Sequence, residues 1–116
     1  MKLVTYTNTI EKALAQLKQQ YLTHKRPDNR RDPQFFELVK KETDPLFELV
    51  DKWYIEATNF VKNRDVRIHP QQIASTEENI KLLLLHSFYI DTPKSRYMEL
   101  YQSVLYVFSL IKKEVE

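Results

Sequence analysis

Glycine and cysteine are both absent from this chain of 116 residues. A globular chain of this length holds about eight glycines on average. Without them, any site that needs a left-handed or closely approached backbone is disfavoured. This argues against a phosphate-binding P-loop, a dinucleotide-binding glycine motif and a nucleophile elbow. The lack of cysteine excludes disulfides, thiol chemistry and cysteine-ligated zinc.

Long apolar runs are missing too, and no stretch approaches the roughly 18 residues that a membrane-spanning helix needs. The residues after Val4 are polar, so we expect no signal peptide. With 42% apolar residues, 29% charged residues and a net charge of +2, the composition is that of a globular domain. We expect a single helical domain over residues 1–116, located in the cytoplasm and without membrane contact.

Apolar residues recur at alternating spacings of four and three, the pattern of helices that each bury one face. The spacing predicts four long helices, over residues 2–23, 45–63, 70–90 and 93–115. A short extra helix is predicted over residues 33–42, because Asp-Pro pairs at 32–33 and 44–45 are both typical of helix starts. Near Asp44 we therefore expect the helical segment to be either split or kinked. The predicted fold is all-α, an up-and-down four-helix bundle with one extra short helix between helices 1 and 2. Trp53, on the apolar stripe of its helix, is expected to be buried.

Several short segments resemble the YppE-like proteins, a family of small Gram-positive bacterial proteins of unknown function. They are Phe35-Phe36-Glu37, Trp53, His69-Pro70-Gln71-Gln72-Ile73, Ser103-Val104-Leu105-Tyr106 and Ile111-Lys112-Lys113-Glu114. The resemblance covers residues 34–115. It implies a four-helix bundle, and it supplies no catalytic residues.

No residue pattern indicates an enzyme. A di-metal site in a helical bundle needs Glu-x-x-His pairs, and the chain has none. The acidic residues Glu48, Asp51 and Glu56 lie off the apolar stripe of their helix and are typical of a solvated face. We therefore expect no catalytic residues, no metal and no cofactor.

Basic residues cluster in two predicted loops. One cluster is Lys25, Arg26, Arg30 and Arg31, and the other is Arg64 and Arg67. Such clusters can bind phosphate or nucleic acid. The net charge of only +2 and the lack of aromatic residues among the arginines argue against nucleic acid. Weak nucleic-acid or anion binding is therefore the alternative function.

The third predicted helix carries more apolar residues than one buried face can use. Leu82, Leu85 and Tyr89 fall on the side opposite its core stripe, at about 100° per residue. The fourth helix has a similar surplus, for which residues 33–42 are the expected internal cover. For the stripe of Leu82, Leu85 and Tyr89 we expect cover by an unknown protein partner or by a homodimer contact. The leading hypothesis is a non-enzymatic protein-interaction or self-associating module.

Overall fold

The computed structural model describes residues 1–115, and these form four α-helices without a strand. The helices are α1 (Lys2–Thr23), α2 (Pro33–Asn63), α3 (Pro70–Tyr89) and α4 (Lys94–Val115). Each helix packs against the next one along the chain, and α1 also packs against α3 and α4. The backbones of α2 and α4 make no such contact, so these two helices occupy opposite corners. The predicted all-α four-helix bundle is confirmed.

The predicted helix starts are explained by their caps. The Asp32 carboxylate accepts a hydrogen bond from the backbone N–H of Gln34 at 3.0 Å, and Pro33 opens α2. At the start of α3, the Nδ1 atom of His69 accepts from the backbone N–H of Gln71 at 3.0 Å. The Gln72 side chain accepts in return from the backbone N–H of His69. Such caps satisfy donors that have no partner inside the helix.

Of the two alternatives near Asp44, the split is wrong, since α2 continues through Pro45 and the predicted extra helix is its first part. Two residues on the N-terminal side of the proline, Val39 and Thr43, are buried. The Thr43 hydroxyl also donates to the carbonyl oxygen of Val39 at 2.7 Å. Pro45 itself lies on the exposed side of α2, so its missing N–H leaves no unpaired group in the core.

Trp53 lies at the centre of the bundle and is fully buried, as predicted. Its indole Nε1 donates a hydrogen bond to the Thr7 hydroxyl of α1. Its ring also packs against Phe108 of α4, with 5.7 Å between ring centroids. One side chain therefore connects three of the four helices.

The first part of α2 does not cover α4, so this expectation is wrong. Phe35 packs edge-on against Tyr89 at the end of α3, with 5.3 Å between ring centroids. Because α2 and α4 occupy opposite corners, residues 33–42 reach α1 and α3 instead. The surplus apolar residues Leu105 and Leu110 of α4 pack partly against the core, and Tyr106 stays 60% exposed.

Candidate functional site

The outward surface of α3 is the apolar feature that the sequence predicted. The side chains of Leu82 and Leu85 are 39% and 38% exposed, whereas Leu83 and Leu84 between them are buried. Tyr89 continues the same surface one turn later, and its ring is partly covered by Phe35. We call Leu82, Leu85 and Tyr89 the α3 outer face.

Exposed apolar residues also occur on the other three helices. Phe36 and Leu38, in the first part of α2, lie two residues apart and are 55% and 50% exposed. Leu22 of α1, Ile55 of α2 and Tyr106 of α4 are single exposed apolar residues. Isolated apolar side chains are normal on a protein surface, whereas adjoining ones often mark an interaction site. The structure therefore groups the three predicted interface residues on one side of α3.

Charged residues flank the α3 outer face. The Lys81 ammonium donates to the Asp51 carboxylate of α2 at 2.8 Å, and Glu77 lies 3.8 Å away. The hydrogen bond to Asp51 raises the pKa of Lys81 above its ordinary value; partial burial opposes this, and attraction to the Glu77 and Asp51 carboxylates adds to it. Glu78 is exposed and takes part in no ion pair among residues 1–115. The α3 outer face is thus bordered on one edge by the Lys81–Asp51 ion pair and at its N-terminal end by the unpaired carboxylate of Glu78.

The two basic clusters lie at opposite ends of the bundle. Lys25, Arg26, Arg30 and Arg31 lie in the loop between α1 and α2, and the Arg30 guanidinium is 3.8 Å from Asp91 in the loop between α3 and α4. The α1–α2 and α3–α4 loops therefore meet at this end, whose exposed ion pair adds little stability.

At the other end, Arg64 and Arg67 follow α2, and the Arg64 guanidinium lies over the ring of Phe60 at 4.9 Å. Arg64 also lines a shallow cavity together with Met1, which places it beside the start of α1. The structure does not bring the two clusters together. Anion binding by either cluster stays a prediction.

A cleft that the sequence did not predict runs between α1, the first part of α2 and the end of α3. It consists of two adjoining cavities of about 600 and 550 Å³, which share Gln20, Leu38 and Phe88 as lining residues. Three helices and the α1–α2 loop, including Lys25, supply its walls, so no single stripe of residues signals it. The cleft is open and mostly apolar, and its lining suits contact with an apolar group better than proton transfer.

The three histidines each contact a nearby group in the chain. The Nδ1 atom of His24 contacts the Gln20 carbonyl, that of His69 caps α3, and that of His86 lies 2.9 Å from the Asp91 carboxylate. Within residues 1–115, no three side chains of histidine, aspartate or glutamate are grouped as a metal site would require. None of the four helices in this range combines the length and hydropathy needed to cross a membrane.

The four packed helices define the class of this protein as an all-α, four-helix protein. Residues 7–115 match a family model described as a bacterial domain of unknown function, DUF1798. The chain belongs to this family, whose activity is uncharacterised. The predicted resemblance to YppE-like proteins is confirmed by a relative, the uncharacterised protein YppE of Bacillus subtilis strain 168. The two are 30% identical over 82 residues, which cover 70% of this chain and 67% of YppE.

Solved structures show the same fold. The crystal structure of YppE from Bacillus subtilis superimposes with a TM-score of 0.84 at 26% identity, covering 97% of this chain and 91% of YppE. A Listeria innocua protein of unknown function superimposes with a TM-score of 0.79 at 18% identity. That match covers 100% of this chain and 96% of the Listeria chain, and it supports the fold alone.

Proposed function

We propose that this protein is a non-enzymatic, cytoplasmic protein-interaction module whose docking surface is the α3 outer face. The observation that carries the proposal is the adjoining exposure of Leu82 and Leu85 on the side of α3 that faces away from the core. Apolar surface in water is unfavourable by about 25 cal/mol per Å², so a partner that covers these side chains gains binding energy. The preferred partner surface is another amphipathic helix, because one helix presents this face.

The polar groups support binding rather than catalysis. Among residues 1–115 no histidine is paired with a serine hydroxyl. His24 contacts the Thr23 hydroxyl at 3.2 Å, but that hydroxyl donates its proton to the carbonyl oxygen of Gln19. The buried hydroxyls of Thr7, Thr43 and Ser87 donate to helix carbonyls four residues earlier. A hydroxyl that donates to its own helix lacks the neighbouring base that activates a nucleophile.

Photo-crosslinking in living cells tests the proposal. We would place a benzophenone amino acid at position 82, with the matched control at Leu22 of α1, which is exposed to a similar extent at 43%. We expect discrete protein adducts from position 82 and none from position 22. Equal adducts at the two positions, or none at either, would contradict the proposal.

A double variant, Leu82→Glu with Leu85→Glu, tests whether the face is a surface. We expect this variant to retain its helical circular dichroism. With the benzophenone residue placed at position 89 instead of 82, we expect adducts from the parent protein and none from the double variant. Unfolding of the double variant would show that the two leucines belong to the core.

A further inference from the structure

We infer that the occupant of the α3 outer face is the same face of a second copy of this chain, with the two α3 helices antiparallel about a two-fold axis. The axis passes between Leu82 and Leu85, so that each Leu82 contacts Leu85 of the partner subunit. This inference rests on the proposed function and names its partner. It uses the self-complementary contact that two-fold dimers require.

The spacing of residues along α3 is symmetric about that axis. Glu78 lies four residues before Leu82, and Tyr89 lies four residues after Leu85. Residues four apart lie on the same side of a helix. Antiparallel pairing therefore brings Glu78 opposite Tyr89 of the partner subunit, twice in each dimer. The tyrosine hydroxyl can donate to the carboxylate, and such charge-assisted hydrogen bonds are stronger than neutral ones.

Both polar groups are available for this contact. Among residues 1–115, Glu78 forms no ion pair and the Tyr89 hydroxyl forms no hydrogen bond. The edge-on contact between the rings of Tyr89 and Phe35 fixes the position of the tyrosine ring before a partner binds. Less side-chain entropy is then lost on association.

Charge also selects the antiparallel orientation. A parallel two-fold pairing of the same faces would bring Glu78 against Glu78 of the partner subunit, which is a repulsive contact. Antiparallel pairing avoids this contact and sets the two helix dipoles in opposition. The nearby Lys81 ammonium is already neutralised by Asp51, so the paired face carries no uncompensated positive charge.

Cysteine crosslinking tests the register, because the chain has no cysteine of its own. We would mix Leu82→Cys protein with ¹⁵N-labelled Leu85→Cys protein under mild oxidation and identify the disulfides by mass. We expect the mixed 82–85 disulfide to form at least about fivefold faster than either 82–82 or 85–85, since Cα atoms must approach within about 7 Å. A mixture of Leu22→Cys and Tyr106→Cys is the control and should form no intermolecular disulfide, because neither position lies on the α3 outer face.

Sedimentation equilibrium of Glu78→Gln, Tyr89→Phe and the double variant tests the polar contact. Each single change is expected to weaken dimerisation about fivefold to tenfold, corresponding to roughly 1 kcal/mol per chain pair. The double variant should be no weaker than the weaker single variant, because both changes remove the same contact. Additive effects would overturn the assigned contact.

The homodimer and the proposed function fail in different ways. A protein that stays monomeric at millimolar concentration, without the 82–85 disulfide, overturns the homodimer. Position 82 can still give cellular adducts in that case. If their mass differs from that of two chains, a different protein has been captured; the homodimer is then overturned and the proposed function stands. Adducts of two chain masses at position 82 support both.

Discussion

The indole Nε1 of Trp53 donates a hydrogen bond to the Thr7 hydroxyl at 3.0 Å, and both side chains are fully buried. The same hydroxyl donates its proton to the carbonyl oxygen of Leu3 at 2.7 Å. Thr7 is thus acceptor and donor at once, and it connects α2 to the first turn of α1. A buried indole N–H has no water to replace this partner.

Replacing Thr7 with valine keeps the shape and removes the acceptor. We expect Thr7→Val to lower the free energy of unfolding by about 1–3 kcal/mol, because the indole N–H is then buried without a partner. Thr9→Val is the matched control, since the Thr9 hydroxyl makes the same bond to a carbonyl four residues earlier on an exposed side of α1. Urea unfolding measures both, and equal effects would show that the Trp53 contact contributes nothing.

Pro45 lies in the interior of α2, where proline is unfavourable by about 3 kcal/mol relative to alanine in an exposed helix. We expect Pro45→Ala to raise the free energy of unfolding by about 1–2 kcal/mol, the rest being offset by a more flexible unfolded chain. The control is Pro70→Ala at the first turn of α3, where proline is favourable. Thermal unfolding should separate the variants, and a destabilised Pro45→Ala would show that packing requires the proline.

Ile90 ends α3 in the left-handed region, with φ 50° and ψ 43°. A residue with a Cβ atom is strained there, and glycine is not. We therefore expect Ile90→Gly to be more stable than Ile90→Ala by about 1 kcal/mol in urea unfolding. At Leu82, inside α3, the order should reverse, because glycine weakens a helix interior. The same order at both positions would argue against the left-handed cap.

Tyr97 is fully buried, and its hydroxyl lies 2.7 Å from that of Ser87. The Ser87 hydroxyl donates to the carbonyl oxygen of Leu83, so Tyr97 is the donor of the pair. Burial raises the pKa of Tyr97 above its ordinary value; the contact with the Ser87 hydroxyl opposes this in part, and Tyr101 and Tyr21 add smaller increases. The folded protein thus retains a proton that the unfolded chain loses above pH ~10, the ordinary tyrosine range.

Stability is therefore expected to fall as the pH rises above about 10. The Tyr97→Phe variant should be less stable than the parent by about 1 kcal/mol at pH 7, where it lacks the hydrogen bond. The difference should narrow or reverse near pH 11, because the variant has no buried hydroxyl to ionise there. Unfolding at the two pH values measures this, and a constant difference would contradict the assignment.

The helices could be predicted from local sequence, and the tertiary contacts could not. The stripes and the capping signals at Asp32 and His69 are properties of neighbouring residues, so the bounds of α1 and the starts of α2 and α3 were predicted closely. The break at Pro45 was predicted wrongly, because burial of Val39 and Thr43 outweighs the local signal. The cleft and the Thr7 contact join residues far apart in sequence, and periodicity carries no information about such pairs.

The outward stripe of α3 was predicted because its residues share one helix. Whether the two arginine clusters would meet could not be predicted from the sequence. That outcome depends on helix direction: α2 carries Arg64 to the end of the bundle opposite Arg30.

Because Trp53 is the only tryptophan, its emission is an optical signal from the centre of the bundle alone. The indole contacts groups from α1 and α4, and the α3 outer face lies on the far side of a different helix. Association through that face should leave the emission maximum unchanged, whereas opening of the core should shift it to longer wavelength. One native fluorophore can therefore distinguish a change in assembly from a loss of folding without any label.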